Sequence, residues 1–295
     1  MQALDTNTRI SLNNVLVTTD FSKISKTARS YAAALAGQYE AKILVAHALS
    51  PEPLLGVPLD RLPVEADPAW LEAESKLAEF TLGTSLNGRP VKMLLERGDV
   101  WDVISGIIQK NQIDLVVTAT HGRQGLKKLV MGSAAEKIYR GATCPVLTIG
   151  PQVPPLNDAK WRVKTILFPT DGSETSLKAL PYALSLAEEN QANLIFLRIM
   201  PLAYREGQES DEASVREALR ALVPAEAEDW CKPEFVARFD FPVPGILRLA
   251  KERGVDLIVM GVKHAGSRAL REYSPWPTAS QVVAQAKCPV LTVRG

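Results

Sequence analysis

Short aliphatic runs alternate with stretches whose apolar residues recur every three or four positions, and the alternation passes along the chain twice. In the first half, Val15 to Thr19 predicts a strand. A helix follows from Lys23, with Ala28, Tyr31, Ala32, Leu35 and Tyr39 along one face. Further strands are expected at Lys42 to Ala48, Val91 to Glu96, Leu115 to Thr118 and Pro145 to Ile149. Helices are expected near Ala69 to Leu86, Val100 to Lys110 and Ala134 to Tyr139. The runs ILVA and DLVV lack polar alternation, so their sheet is buried on both faces, which means parallel strands with helices on each side. Ligands of such open sheets sit beyond the carboxyl ends of the strands.

Three segments recur in order. VLVTTDFS (Val15 to Ser22) returns as ILFPTDGS (Ile166 to Ser173), IDLVVTATHG (Ile113 to Gly122) as VDLIVMGVKH (Val255 to His264), and ATCPVLTIG (Ala142 to Gly150) as AKCPVLTVR (Ala286 to Arg294). Three pairs in one order indicate duplication. The prolines and polar residues of Pro151 to Lys160 read as a linker. The expected organisation is therefore a domain over 1–150, a linker over 151–160 and a second domain over 161–295. The second domain has a shorter middle segment between Met200 and Trp230. Each domain is expected to be an α/β, open, doubly wound parallel sheet of five strands.

Composition narrows the function. With 34 basic and 33 acidic residues the formal charge is +1, so no global field attracts nucleic acid or an anionic membrane. Arg123, Lys127 and Lys128 form a local basic cluster. Three cysteines make no disulfide framework in a chain of this size. Cys144 and Cys288 precede Pro-Val-Leu-Thr at matching places, where a small buried thiol fits a strand entrance. No spacing suggests a metal site. The start MQALDTNTRI lacks the features of a signal peptide, and no apolar run approaches the ~20 residues of a membrane helix. The expected setting is cytoplasmic.

The candidate chemistry lies after the fourth strand, in Ala119 to Ser133. Small residues at Ala119, Gly122, Gly125 and Gly132 allow backbone amides close to a ligand. Gly132 and Ser133 open a helix whose free N–H groups and positive end suit a phosphate. Ser133 either caps that helix or turns its hydroxyl to a phosphate oxygen. Neither a Walker-type nor a dinucleotide glycine motif occurs, and the same loop also fits an ordinary strand-to-helix turn.

From about Asn14 to Arg294 the chain resembles a tandem universal stress protein. ATP-binding members of that family carry G-x2-G-x9-G-[ST] at this loop. Here the residues are Ala119, Gly122, Gly132 and Ser133, with alanine in place of the first glycine. The resemblance implies an adenine-nucleotide α-hydrolase-like fold and an ATP site. That site comprises Thr18, Thr19, Asp20, Ala48, Thr118, Ala119, Thr120, His121, Gly122, Arg123, Gly132, Ser133 and Ala134. Magnesium or manganese would accompany the nucleotide. Asp20 matches the family's aspartate near the adenosine, although an Asx turn or helix cap would also place an aspartate there. His47-Ala48 matches the strand end that meets the adenine edge, with the His47 ring itself expected to be packed.

The second half departs from the pattern. His264 replaces the second glycine, and Trp276 and Pro277 stand where Gly132 and Ser133 stand. Side chains at the phosphate position, and a proline that removes an amide, predict a second domain kept for packing. No arranged nucleophile, base or metal carboxylate favours fast phosphoryl transfer. The leading expectation is a stress-response or regulatory protein with ATP in the first domain and at most slow hydrolysis. The alternative is a pseudo-symmetric scaffold acting through protein partners. Single-domain relatives pair their last strands between subunits, so Pro145 to Ile149 should pair with Pro289 to Val293 in an internal pseudo-dimer. Further self-association of whole chains is left open.

Overall fold

The structure, a computed structural model, describes residues 10–50, 67–82, 90–120, 133–156, 160–202, 209–224, 227, 231–263 and 278–295, with only the backbone described at 133 and 209–211. The first half contains β1 (Asn14–Thr18), α1 (Lys23–Tyr39), β2 (Lys42–Leu49), α2 (Pro68–Leu82), β3 (Val91–Arg97), α3 (Val100–Lys110), β4 (Leu115–Ala119), α4 (Ser133–Gly141) and β5 (Val146–Ile149). The second contains β6 (Thr165–Pro169), α5 (Glu174–Leu177), α6 (Leu180–Asn190), β7 (Asn193–Met200), α7 (Glu209–Arg220), β8 (Pro233–Phe239), α8 (Pro242–Glu252), β9 (Leu257–Val262), α9 (Thr278–Gln285) and β10 (Val290–Arg294). The long helix α1 corresponds to two pieces, α5 and α6. Pro181, in the first turn of α6, has no N–H to continue a helix through that point.

Within each half all strand pairs are parallel, as expected from the unbroken apolar runs. The two five-stranded sheets meet edge to edge in one ten-stranded sheet of order β3-β2-β1-β4-β5-β10-β9-β6-β7-β8. The junction is the antiparallel pair β5–β10, with Leu147 opposite Leu291, so the last strands pair as an internal pseudo-dimer requires. Each would otherwise present an unpaired edge.

Both faces of the sheet are covered. One core packs α1, α2, α6 and α7 against Val15, Val17, Leu147, Phe168 and Val259. The other packs α3, α4, α8 and α9 against Leu16, Val116, Val146, Leu167 and Val290. Each core contains residues of both halves, so the apolar packing is continuous across the junction. Polar contacts also cross the junction. The Tyr139 hydroxyl lies 2.5 Å from Ser280 Oγ, Arg294 Nη1 donates to Gly141 O at 2.9 Å, and the Tyr39 hydroxyl donates to Glu189.

The repeated aspartate of IDLVV and VDLIV has a structural role the pattern did not disclose. Asp114 Oδ2 accepts the N–H groups of Asn13 and Asn14, at 2.7 and 2.8 Å. Asp256 Oδ2 accepts those of Lys164 and Thr165, at 2.8 and 3.0 Å. Each fastens the entrance of the first strand of its half, at the end of the sheet away from the candidate site.

Candidate functional site

In each half the strand order reverses once, between β1 and β4 in the first and between β6 and β9 in the second. The carboxyl ends on either side of that reversal form the crevice in which open α/β sheets take their ligands. In the first half this is where Thr18, Thr19 and Asp20 meet Thr118, Ala119 and Thr120. The Thr18 hydroxyl donates to Thr118 Oγ1 at 2.8 Å, and both side chains are buried. Ala119 ends β4 opposite Ile149, and Thr120, also buried, donates its N–H to Ile149 O at 3.1 Å.

The chain leaves β1 through a tight hydrogen-bonded turn. Thr19 Oγ1 accepts the N–H of Phe21 at 2.9 Å, and Asp20 Oδ1 accepts the N–H of Ser22 at 3.1 Å together with the Ser25 hydroxyl. Ser22 Oγ then caps α1 by accepting the N–H of Ser25 at 3.3 Å. The Asx turn weighed for Asp20 is therefore present, and the cap belongs to Ser22. The turn forces Phe21 to φ 67°, the left-handed region that bulky residues rarely adopt.

The Phe21 ring packs on His47, with centroids 4.4 Å apart, and edge-on to Phe80 at 6.3 Å. His47 is buried, as expected, and its Nδ1 lies 2.7 Å from Thr19 O. A carbonyl oxygen only accepts, so Nδ1 carries the proton. Ala48 follows at the carboxyl end of β2, half-buried and opposite Glu96 of β3. Ser133 opens α4, with Ala134 half-buried in its first turn. His121, Gly122, Arg123, Gly125, Lys127, Lys128 and Gly132 lie outside the described residues.

The second half repeats the turn with different neighbours. Thr170 Oγ1 accepts the N–H of Gly172 at 3.0 Å, Asp171 Oδ1 accepts the N–H of Ser173 at 3.0 Å, and Ser173 caps α5. Burial opposes ionisation of Asp171, but hydrogen bonds from Ser173 and Ser176 and the charge of Arg198 outweigh it and hold the carboxyl below the usual carboxylate range. Strand registers place Arg198 where His47 stands, and Pro169 and Met260 where Thr18 and Thr118 stand. The polar pair at the base of the first crevice is thus apolar in the second.

Gly261, the counterpart of Ala119, packs so tightly on the backbone of Thr175 and Ser176 that a Cβ there would lie 2.6 Å from Ser176 Cα. Glycine at this position accommodates α5, the helix after β6, in the second half. Lys263 is exposed, and His264, Trp276 and Pro277 lie outside the described residues. Among the described residues no cluster of His, Cys, Asp and Glu is suited to a metal ion, and no helix is long and apolar enough to cross a membrane.

Two features of the site were not anticipated from the sequence: the Thr18–Thr118 bond and the left-handed Phe21. The exchange of Thr18 and Thr118 for Pro169 and Met260 inside otherwise repeated segments was the visible signal for the first.

Comparison with known proteins supplies the affiliation. The family model described as the universal stress protein family matches residues 12–150 and again 162–294. The universal stress protein YxiE of Bacillus subtilis is 33% identical over 146 residues, covering 44% of this chain and 97% of its own length. A universal stress protein of Methanocaldococcus jannaschii is 27% identical over 146 residues, covering 46% of this chain and 80% of its own. Among solved structures, a universal stress protein from Archaeoglobus fulgidus superposes with a TM-score of 0.70 at 18% identity, covering 98% of both chains. The single-domain relatives thus match half of the chain, while the Archaeoglobus structure shares the whole architecture. Matched over both halves by one family model, the chain belongs to the universal stress protein family.

Proposed function

We propose that this chain is a regulatory stress-response protein that binds one ATP in its first half, with at most slow hydrolysis. The observation that carries the reading is the convergence of Thr18, Asp20, Thr118 and Thr120 at the strand-order reversal, with α4 opening at Ser133 beside it. A crevice walled by hydroxyls, a carboxylate and a helix N-terminus offers donors to phosphate and acceptors to a ribose. Gly122, Gly132 and the Ser133 hydroxyl complete the phosphate side in this reading, with Thr19, Ala119, His121, Arg123 and Ala134 around them and Ala48 on the adenine side. Asp20 is the carboxylate for the ribose. Magnesium or manganese arrives with the nucleotide and neutralises phosphate charge.

The second half takes no nucleotide and serves as the structural partner. Its crevice has Pro169 and Met260 in place of the hydroxyl pair, and Arg198 in place of His47. The test is mass spectrometry of small molecules carried through purification from cells. Adenine nucleotide at a stoichiometry approaching one per chain supports the reading. A protein that carries none, and takes up none in dialysis against millimolar ATP, overturns it in favour of a scaffold acting through protein partners.

A further inference from the structure

Threonines stand side by side on three adjacent strands of the first half. Thr18 on β1 is followed by Thr118 on β4, and Thr118 is directly opposite Thr148 on β5. All three are buried, Thr148 completely. Their neighbours along the strands, Leu16, Val116 and Val146, belong to the core that packs against Ala135, Ile138 and Tyr139 of α4. The row therefore lies on the α4 side of the sheet, toward the carboxyl ends of its strands. That is the end at which α4 begins.

The hydroxyls of the row are not all satisfied. Thr18 donates to Thr118 at 2.8 Å, which leaves the Thr118 proton to be placed. Among the described residues, Thr148 Oγ1 is a buried atom with no hydrogen-bond partner. Such an orphan is costly, so native proteins pair it. The internal repeat makes the omission specific. Thr292, the counterpart of Thr148, donates to Val146 O at 3.2 Å across the β5–β10 junction. The pairing is symmetric, with Thr148 opposite Val290 as Thr292 is opposite Val146. Thr148 nonetheless has no bond to the matching carbonyl. The corresponding row of the second half reads Pro169, Met260, Thr292, with no second hydroxyl to share.

We propose that Thr118 and Thr148 hold a buried water in the first half, and that this water meets the bound ligand from beneath. A buried water makes about three hydrogen bonds to groups otherwise unsatisfied. Here it accepts the Thr118 proton and bonds Thr148, and it keeps a proton for an acceptor oxygen on its open side. The chain of donors runs Thr18 to Thr118 to water, so each bond polarises the next, and the row presents donor character to the crevice. That polarity suits a phosphate or ribose oxygen. The last step rests on the nucleotide reading above, whereas the water site stands without it.

High-resolution crystallography of the unliganded chain, with equilibrium dialysis against labelled ATP, separates the two parts. The expected result is a density peak within hydrogen-bond reach of both Thr118 Oγ1 and Thr148 Oγ1, absent in Thr148→Val and retained in Thr148→Ser. ATP affinity should fall about 5- to 10-fold in Thr148→Val, as for one lost hydrogen bond, and recover in Thr148→Ser. Thr148 Oγ1 seated on Val290 O with no water between the hydroxyls overturns the site. A water that is present, while Thr148→Val leaves ATP affinity unchanged, overturns its contact with the ligand. A wild-type chain that binds no ATP defeats the nucleotide reading, and the density alone then decides the water site.

Discussion

Phe21 and Gly172 occupy the same turn of the two halves, with φ of 67° and 73°. One turn geometry is thus held once by the residue that adopts it freely and once by a residue that resists it. A left-handed L-residue costs about 1–2 kcal/mol, while full burial of an aromatic ring recovers about 1.5–3 kcal/mol, and the Phe21 ring is half-buried. The Phe21 ring packs on His47 and Phe80, so its contacts offset the strain, and a glycine there would also add chain entropy to the unfolded state. Phe21→Gly should therefore lower stability by about 1 kcal/mol despite relieving the backbone. A urea melt with an unchanged or raised midpoint would show that strain dominates.

Unfolding should be a single transition. Both cores contain residues of both halves, and the sheet runs unbroken through β5 and β10. Leu147 and Leu291 face each other at the junction, both buried, and Leu291→Asp should destabilise the first half as much as the second. Calorimetry checks this: one endotherm is expected for the wild type, and two separated endotherms would mean that the halves are independent.

Gly261 and Ala119 should respond unequally to exchange. A methyl at Gly261 meets the backbone of Thr175 and Ser176, which has no flexible end to move, so Gly261→Ala should cost about 1–3 kcal/mol. Ala119→Gly removes a methyl from a half-buried position and should cost less than about 1 kcal/mol. Equal losses in the two variants, measured by denaturant titration, would mean that the helix after β6 yields easily.

Alkali should weaken the fold. Burial, with the charge of Asp256 adding to it, raises the Cys288 thiol to about 12. An unfolded thiol ionises near ~8.5, so the contribution of the neutral buried thiol is complete below that pH. It is lost at about 1.4 kcal/mol per pH unit as pH rises toward the folded value. Cys144 and Cys231, raised by burial to about 12 and about 11, act in the same direction. A thiol reagent at pH 8 should label the buried Cys231 and Cys288 slowly in the native state, the partly exposed Cys144 faster, and all three rapidly in denaturant. Rapid native labelling of Cys231 or Cys288 would contradict their burial.

The sequence exposed some of this and concealed the rest for physical reasons. Repeated apolar runs located the strands because a sheet buried on both faces admits no polar alternation, and the shared CPVLT segments marked the edges that pair. Val100 to Lys110 was legible as a helix to the residue, because Asp99 caps it and its apolar spacing is regular. The broken helix α5–α6 had a visible cause in Pro181. The contacts of the site were not legible. Thr18 and Thr118 are a hundred positions apart, and only the parallel register brings their hydroxyls together. The left-handed Phe21 was hidden because local preference argues for glycine there, as Gly172 shows, and packing overrides it in the first half. Asp20 was placed correctly after β1, but Ser22 is the cap.

The proposed single ATP, held in the first half, is open to direct measurement. Isothermal titration of ATP with magnesium into the wild type, Asp20→Ala and Gly132→Trp tests it most directly. The wild type should bind one equivalent. Asp20→Ala should bind more weakly by about 1–2 kcal/mol, as for a lost hydrogen bond to the nucleotide. Gly132→Trp should bind none while its circular dichroism stays that of the wild type. A stoichiometry near two, or undiminished binding by folded Gly132→Trp, would rule out a single site at this crevice.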